Sequence, residues 1–347
     1  MQRIVNSMFR FVVTVLLILF AGCVSRAKHE ATQLQRFEFE EPQMGVPFRI
    51  VLYATNETHA EKAGDAAFAR IAELNAIMSD YETDSELSKL SRSSEEGSPE
   101  VRVSEDLWRV LEPAQELAAE TDGAFDITIG PCVALWRKAR REQEYPDATR
   151  LENARRKVGY ENLVLDKRNH SARLLRFGMR LDLGAIAKGY AADEALKTLR
   201  NLGVNRALVA ASGDLALGDP PPGEKGWRVE IVGYDAPSGP PSAIVPLANC
   251  GIATSGDLFQ RVEINGVRYS HIVNPFTCVG ITNHALATVI AKNCMTADSL
   301  ATVMTIAERK NAFAIAKKRN AAARVVTMEN DKPVVEASAA FRRIVAQ

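Results

Sequence analysis

The spacing of apolar residues along the chain predicts both strands and helices. Residues 37–39 and 48–52 carry apolar side chains at every second position, which is the period of a half-buried strand. The intervening segment, residues 42–47, contains two prolines and Gly45, so a hairpin is predicted there. Further strands are predicted at 163–165, 174–183, 207–210, 227–232, 261–264, 268–273 and 285–291, with Asn265-Gly266 as a second hairpin turn.

Apolar residues at intervals of three and four predict several amphipathic helices. Ser104 is the expected N-cap of one of them, and Pro113 is expected to kink or interrupt that helix. The predicted helical segments are 67–78, 107–118, 192–199, 297–304 and 312–316. Because strands and helices mix without regular βαβ alternation, we expect an α+β fold that forms one compact unit of two lobes.

Composition narrows the functional class. Hydrophobic residues make up 46% of the 347-residue chain, and 43 Lys and Arg balance 43 Asp and Glu. Such a chain can bury a core, and its zero formal charge argues against non-specific nucleic-acid binding. The charged segment 137–157 is interpreted as solvated helix faces. Cys132, Cys250, Cys278 and Cys294 match no zinc pattern, so one or two disulfides and buried free thiols both remain open.

The N-terminus has the pattern of a targeting segment. Two arginines precede an apolar stretch from Phe11 to Gly22, which is shorter than the roughly 20 residues that span a membrane. The stretch ends in Ala21-Gly22-Cys23, which resembles a bacterial lipobox. We therefore expect a lipoprotein signal peptide at 1–22, an acylated Cys23, a tether to residue 35 and one domain over 36–347. An ordinary secretory signal and a short anchor are the alternatives.

This interpretation places the protein in the cell envelope. We expect it on the periplasmic side of a bacterial membrane, held by a lipid anchor, with the inner membrane favoured over the outer. No Asp follows Cys23 to mark inner-membrane retention.

Candidate chemistry lies in five short clusters rich in Gly, Asp, Ser and Thr, since no nucleotide-binding loop, nucleophile elbow or zinc-protease motif occurs. Tyr81 either stacks on a flat ring or covers a core edge. Asp126 lies between apolar residues in a strand-like segment, where a buried carboxylate needs partners. The glycines of 184–189 lie at a predicted strand-to-helix junction, where free backbone N–H groups suit an anion.

Two further features are candidates for proton transfer and metal binding. His271 is either a proton carrier or a strand-end histidine bonded to a backbone carbonyl. Asp298 and Thr302 are one helical turn apart, so their oxygens can face one hard cation. The alternative for Asp298 is a helix cap.

The ordered set of clusters resembles the FAD:protein FMN transferase family over residues 40–310. The segments that carry the resemblance are Met44-Gly45-Val46-Pro47, Tyr81 to Leu87, Gly123-Ala124-Phe125-Asp126, Asp182 to Tyr190, Ala253 to Gly256, His271-Ile272 and Asp298 to Thr302. The resemblance implies a T-fold-like α+β architecture. It also implies that FAD is cleaved, that FMN is joined through a phosphoester to a Thr or Ser of a target flavoprotein, and that AMP leaves.

The resemblance also implies roles for individual residues. His271 is implied in catalysis, and Asp298 near the metal is a second candidate base. Mg²⁺ is expected at the Ala185 carbonyl and the side chains of Asp298 and Thr302. FAD contacts are expected at Met44, Tyr81, Ala124, Phe125, Asp126, Asp182, Lys188 and Ile272, and also at Ser255 and Gly256.

Two residues depart from the family pattern in the turn after His271. Asn274 replaces an Asp and Cys278 replaces a Gly, so a locally rebuilt turn is expected because Cys adopts positive φ less readily. The expected acceptors are flavoprotein subunits of envelope redox complexes. FAD hydrolysis to FMN and AMP, or FAD binding without catalysis, remain alternative functions for the same residues.

Overall fold

The computed structural model describes residues 33–233, 239–258, 260–329 and 332–346. The predicted signal peptide, Cys23 and most of the tether lie outside these residues. The strands are β1 Gln35–Gln43, β2 Val46–Ala54, β3 Val101–Arg102, β4 Leu163–Asp166, β5 Ser171–Leu174, β6 Ala207–Ala211, β7 Asp214–Leu217, β8 Trp227–Ile231, β9 Ala243–Leu247, β10 Cys250–Gly256, β11 Arg261–Ile264, β12 Val267–Ser270, β13 Val273–Asn274, β14 Val279–Gly280, β15 Leu286–Ala291, β16 Ala322–Glu329 and β17 Lys332–Ala337.

The α-helices lie between these strands and at the end of the domain. They are α1 Glu57–Met78, α2 Glu86–Ser93, α3 Glu105–Glu120, α4 Gly130–Glu142, α5 Ala148–Arg155, α6 Ala187–Asn201, α7 Cys294–Ile306, α8 Arg309–Lys318 and α9 Ala339–Val345.

An eight-stranded antiparallel sheet forms the middle layer, in the order β1-β2-β6-β7-β10-β15-β16-β17. Alternation along β2 shows how the sequence builds its two faces. Ile50 and Leu52 point into one apolar cluster, whereas Val51 between them points into another, as the period of two requires. Helices α1, α6 and α7 cover the first face, and the β8–β9 hairpin and α9 cover the second. The expected α+β fold is confirmed.

Helices α6 and α7 approach each other closely because small residues line their contact. A Cβ added to Gly189 would lie 2.5 Å from the carbonyl oxygen of Cys294, so only glycine fits at this crossing. The two carboxylate oxygens of Asp193 accept the N–H groups of Cys294 and Met295, each at 2.9 Å. This packing fixes the start of α7 against the first two turns of α6.

A third apolar cluster joins α4 to the segment after His271. Trp136 is buried in it, and its indole N–H donates to the Cys278 carbonyl at 2.8 Å. Cys132 and Cys278 form a disulfide with a Cα–Cα distance of 5.3 Å, while Cys250 and Cys294 are free thiols. The sequence left both states of cysteine open, and the chain contains both.

Most of the sequence-based elements are present in the described residues. Both predicted hairpins form. Pro113 does not interrupt its helix, since α3 continues through it to Glu120. The prediction of a strand over 174–183 was wrong. Strand β5 ends at Leu174, and the chain then turns at Gly178, whose φ is +73°.

Candidate functional site

Several sequence-predicted residues lie at one end of the central sheet. The β1–β2 turn carries Met44, which has a positive φ of 51°. The N–H of Ser212, in the β6–β7 turn, donates to the Pro47 carbonyl at 3.2 Å, so the two turns are neighbours. Asp214 begins β7 and pairs with Ala253 of β10. Antiparallel register therefore brings the two turns and the Ser255-Gly256 end of β10 to the same end of the sheet.

Asp298 lies inside α7, within a turn of its contact with α6. Its carboxylate is 2% exposed and accepts the N–H of Gly189 at 3.1 Å. Asn293, not Asp298, caps the helix, through a 2.9 Å bond to the N–H of Thr296. The helix-cap alternative for Asp298 is therefore wrong.

This carboxylate belongs to a buried cluster of three charged side chains. The ammonium of Lys188 lies 2.8 Å from Asp214 and 3.3 Å from Asp298. It also lies 3.2 Å from the Gly184 carbonyl oxygen. Burial opposes charge on Lys188, but the two carboxylates outweigh it and raise the pKa of this ammonium. Lys188 is therefore a permanent cation of the site.

Oxygen atoms near Asp298 are candidate ligands for a hard cation. Thr302 lies one turn further along α7, and its hydroxyl is 3.5 Å from that of Ser255. In a regular helix the N–H of Gly189 would donate to the carbonyl of Ala185, but here it donates to Asp298. Among the described residues the Ala185 carbonyl therefore has no hydrogen-bond donor. Mg²⁺ prefers carboxylate, hydroxyl and carbonyl oxygens. Within the described ranges no group of three or more His, Cys, Asp and Glu could hold a metal, and this candidate set contains a single carboxylate.

A second cluster places an aromatic ring beside a buried ion pair. Arg137 of α4 donates to Asp182 at 2.8 Å and also pairs with Asp80. Its guanidinium carbon lies 4.1 Å from the centre of the Tyr81 ring. Tyr81 is 71% exposed, so it does not cover a core edge. Its free face can stack on a planar ligand.

The segment 182–188 connects the two clusters. Asp182 accepts the N–H of Gly184 at 2.8 Å, and the carbonyl of the same glycine accepts from Lys188. Beside Tyr81 a cavity of about 530 Å³ opens, with Met179 and Leu135 in its wall and Arg92, Arg150 and Arg180 among its polar lining residues. Hydrogen bonds along segment 182–188 thus link the Arg137 cluster beside the exposed Tyr81 ring to the buried cluster of Lys188 and Asp298.

The Ala124-Phe125-Asp126 segment is a buried turn and not the strand-like segment predicted from its sequence. Ala124 and Phe125 are 4% and 2% exposed. Asp126 accepts both the N–H and the hydroxyl of Thr128 at 2.7 Å, and burial raises its pKa to about 6. The buried carboxylate therefore has the partners that it needs, and they hold this turn in shape.

His271 is held in one tautomer by the backbone. Its Nδ1 lies 3.0 Å from the Gln260 carbonyl oxygen, which can only accept, so Nδ1 carries the hydrogen and Nε2 has a free lone pair. Burial, and the positive charges of Arg140 and Lys188, lower the pKa of His271. The ring is therefore neutral at pH 7. Ile272 next to it is 8% exposed.

The two departures after His271 have structural replacements. Asn274 accepts the N–H groups of Phe276 and Thr277 at 2.9 and 3.3 Å, so its amide oxygen organises the turn without a charge. Cys278 adopts a φ of +58°, as the glycine of the family pattern would, and the disulfide to Cys132 fixes it there. The turn is rebuilt by a covalent bond.

Sequence reasoning missed two buried charged residues of the site. Arg137 belongs to the segment interpreted as solvated, yet its side chain is 16% exposed. Its position next to Trp136, on the apolar side of α4, was the available signal. Asp214 is 4% exposed, and its position directly after the Ser212-Gly213 turn was the available signal.

Tyr81→Ala is expected to weaken FAD binding by about three- to ten-fold, the value of one aromatic stacking contact. The unfolding temperature without ligand should hardly change, because the ring is largely exposed. Flavin fluorescence titration and thermal unfolding measure the two effects. Phe177→Ala is the matched control, since Phe177 is 73% exposed and is not among the expected FAD contacts. A large loss of stability with unchanged FAD affinity would contradict this role.

Comparison with known proteins gives one consistent family. The sequence model of the ApbE family matches residues 44–326. The chain is 31% identical to an FAD:protein FMN transferase of Haemophilus influenzae, covering 82% of this chain and 84% of the relative. It is 30% identical to the Vibrio cholerae FAD:protein FMN transferase, covering 94% and 96%.

Solved structures agree with the sequence comparison. The structure of the flavin transferase ApbE from Vibrio cholerae superposes with a TM-score of 0.80 at 28% identity, covering 90% of this chain and 100% of that one. The ApbE protein of Thermotoga maritima gives a TM-score of 0.80 at 26% identity, covering 90% and 99%.

Proposed function

The chain belongs to the ApbE family, and we propose that it is an FAD:protein FMN transferase. It cleaves FAD at the pyrophosphate, joins FMN through a phosphoester to a Thr or Ser hydroxyl of a target flavoprotein, and releases AMP. The observation that carries this proposal is the continuity of the site. Segment 182–188 links the exposed Tyr81 ring and Asp182 to the buried Lys188 and Asp298.

The chain supplies a proton acceptor for the incoming hydroxyl. With Nδ1 bonded to the Gln260 carbonyl, Nε2 of His271 can take the hydroxyl proton as the new phosphorus–oxygen bond forms. The bond between the two phosphates then breaks, and its electron pair leaves with AMP. The lowered pKa of His271 keeps the imidazole in its accepting form at neutral pH.

The chain also counters the charge of the two phosphates. The Lys188 ammonium contributes one fixed positive charge at the junction of the two clusters. Asp298, Thr302 and the Ala185 carbonyl would hold Mg²⁺, which would screen the pyrophosphate and stabilise the leaving phosphate. Tyr81 and Asp182 would position the flavin end, with Arg137 holding both.

Release of AMP with and without an acceptor tests this function. The purified protein, FAD and Mg²⁺ are incubated with a flavoprotein subunit of an envelope redox complex, and AMP, FMN and acceptor mass are measured. Transfer requires AMP formation that depends on acceptor, with FMN found only on the acceptor. Free FMN in equal amounts without acceptor would show hydrolysis instead. FAD binding without AMP would show a flavin-binding protein.

We propose that the protein acts in the cell envelope, anchored at Cys23 on the periplasmic side, with flavoprotein subunits of membrane redox complexes as acceptors. The targeting pattern at Phe11–Cys23 supports export. The Cys132–Cys278 disulfide supports it independently, because such bonds persist in oxidising compartments. Across the described residues, no helix is both long and apolar enough to cross a membrane.

Cys23→Ser is expected to abolish fatty-acid labelling of the protein in bacterial cells and to block processing between Gly22 and Cys23. The physical reason is that thioether and acyl attachment need the thiol. Labelled fatty acid and the mass of the mature N-terminus measure the outcome. Cys250→Ser is the control for the loss of a thiol elsewhere. Labelling that persists in Cys23→Ser would overturn the anchor proposal.

A further inference from the structure

Asp214 is the nearest partner of the Lys188 ammonium, and the reaction described above gives it no role. It begins β7, directly after the turn in which Ser212 has a φ of +56°. Its side chain is 5% exposed, and its Oδ2 is 2.8 Å from the ammonium, against 3.3 Å for the nearer oxygen of Asp298. Two carboxylates from different elements therefore compete for one buried cation.

Removal of Asp214 would change both the net charge of the cluster and the partner of Lys188. With both ionised, the three side chains carry a net charge of −1, from two carboxylates and one ammonium. Without Asp214 the net charge is zero, and Lys188 keeps Asp298 as its single carboxylate partner in the cluster. An ammonium seated on Asp298 opposes a divalent cation there by repulsion and by occupying the same oxygens.

We propose that Asp214 is a positioning residue for the divalent cation: it retains the Lys188 ammonium and so leaves the carboxylate of Asp298 available as a ligand. The inference rests on the proposed function, because it concerns the same Mg²⁺ site. Outer groups that orient or release metal ligands typically change metal affinity by about 10- to 100-fold when removed. A purely structural ion pair, tying the β6–β7 turn to α6, would instead affect folding stability.

Cation binding without FAD separates these roles. Mn²⁺ is titrated into the purified protein, and free Mn²⁺ is measured by electron paramagnetic resonance, with Mg²⁺ calorimetry as a second measurement. Asp214→Asn is expected to weaken affinity by about 10-fold or more. Adding Lys188→Met to Asp214→Asn should return it to near the wild-type value, because no ammonium then competes with the cation for the Asp298 oxygens. Asp214→Glu keeps the charge and should stay near wild type, which also serves if Asp214→Asn folds poorly.

Each outcome decides between the two roles. Unchanged affinity in Asp214→Asn with a lower unfolding temperature, or no recovery on adding Lys188→Met, would overturn the inference. Its failure is distinguishable from that of the proposed metal site. If the wild type binds no cation, or binds it as Asp298→Ala does, the metal site itself is wrong. If Asp298→Ala loses cation binding and Asp214→Asn keeps it, the metal site stands and only the proposed role of Asp214 is wrong.

Discussion

Asp298→Ala is expected to reduce FMN transfer by about a thousand-fold or more. The substitution removes the only carboxylate among the three expected Mg²⁺ ligands, and the charge stabilisation that a bound metal gives is worth several kcal/mol. FAD binding through Tyr81 and Asp182 should persist, since these residues lie in the separate cluster around Arg137. AMP release as a function of Mg²⁺ concentration, together with FAD titration, measures both effects.

Two neighbouring substitutions calibrate this result. Thr302→Ala should be milder, because a water molecule can replace a hydroxyl ligand. Ser299→Ala is the matched control on the same helix, since its buried hydroxyl bonds the Met295 carbonyl and lies outside the cluster. Activity and Mg²⁺ dependence equal to wild type in Asp298→Ala would refute the metal assignment.

Removal of the Cys132–Cys278 disulfide is expected to cost about 3–5 kcal/mol of unfolding free energy, because it closes a long loop and restricts the unfolded chain. The two cysteines are 146 residues apart in sequence. Chemical denaturation of Cys132→Ser/Cys278→Ser, compared with Cys250→Ser, measures the cost. A loss no larger than in the control would show that the bond contributes little.

The backbone of Cys278 allows a finer comparison. Because its φ is +58°, Cys278→Gly removes the bond but suits the backbone, whereas Cys278→Ser removes the bond and keeps a strained residue. In a Cys132→Ser background the glycine variant should be more stable by about 1 kcal/mol. Equal stability would mean that the turn relaxes once the disulfide is absent.

Local patterns in the sequence predicted the elements that depend on local interactions. Period-two alternation and turn residues correctly placed both hairpins, and Ser104 caps α3 as expected, through the N–H of Leu107. The absence of an interruption at Pro113 has a tertiary cause. The buried face of α3 includes Val110, Leu111 and Ala114, and its packing outweighs the hydrogen bond that proline removes.

Residues buried by distant partners were beyond local patterns. Arg137 forms ion pairs with two carboxylates that lie 57 and 45 residues away in sequence. The residues next to it in sequence therefore show only the pattern of a charged helix. Asp214 meets Lys188 only because β7 and α6 are adjacent in the folded domain. The family resemblance supplied the candidate residues of the site, but not the ion pairs that join them.

The direction of β1 determines where the protein can be attached to a support or a fusion partner without covering the candidate site. The described chain enters this strand at Gln35 and runs nine residues to the Met44 turn at the site, a span of about 30 Å. The start of β1 and the candidate site at the Met44 turn therefore lie at opposite ends of this strand. A bead, a surface or a fusion partner joined ahead of Gln35 is therefore expected to lie away from the candidate site. The site then stays accessible to an acceptor as large as another protein.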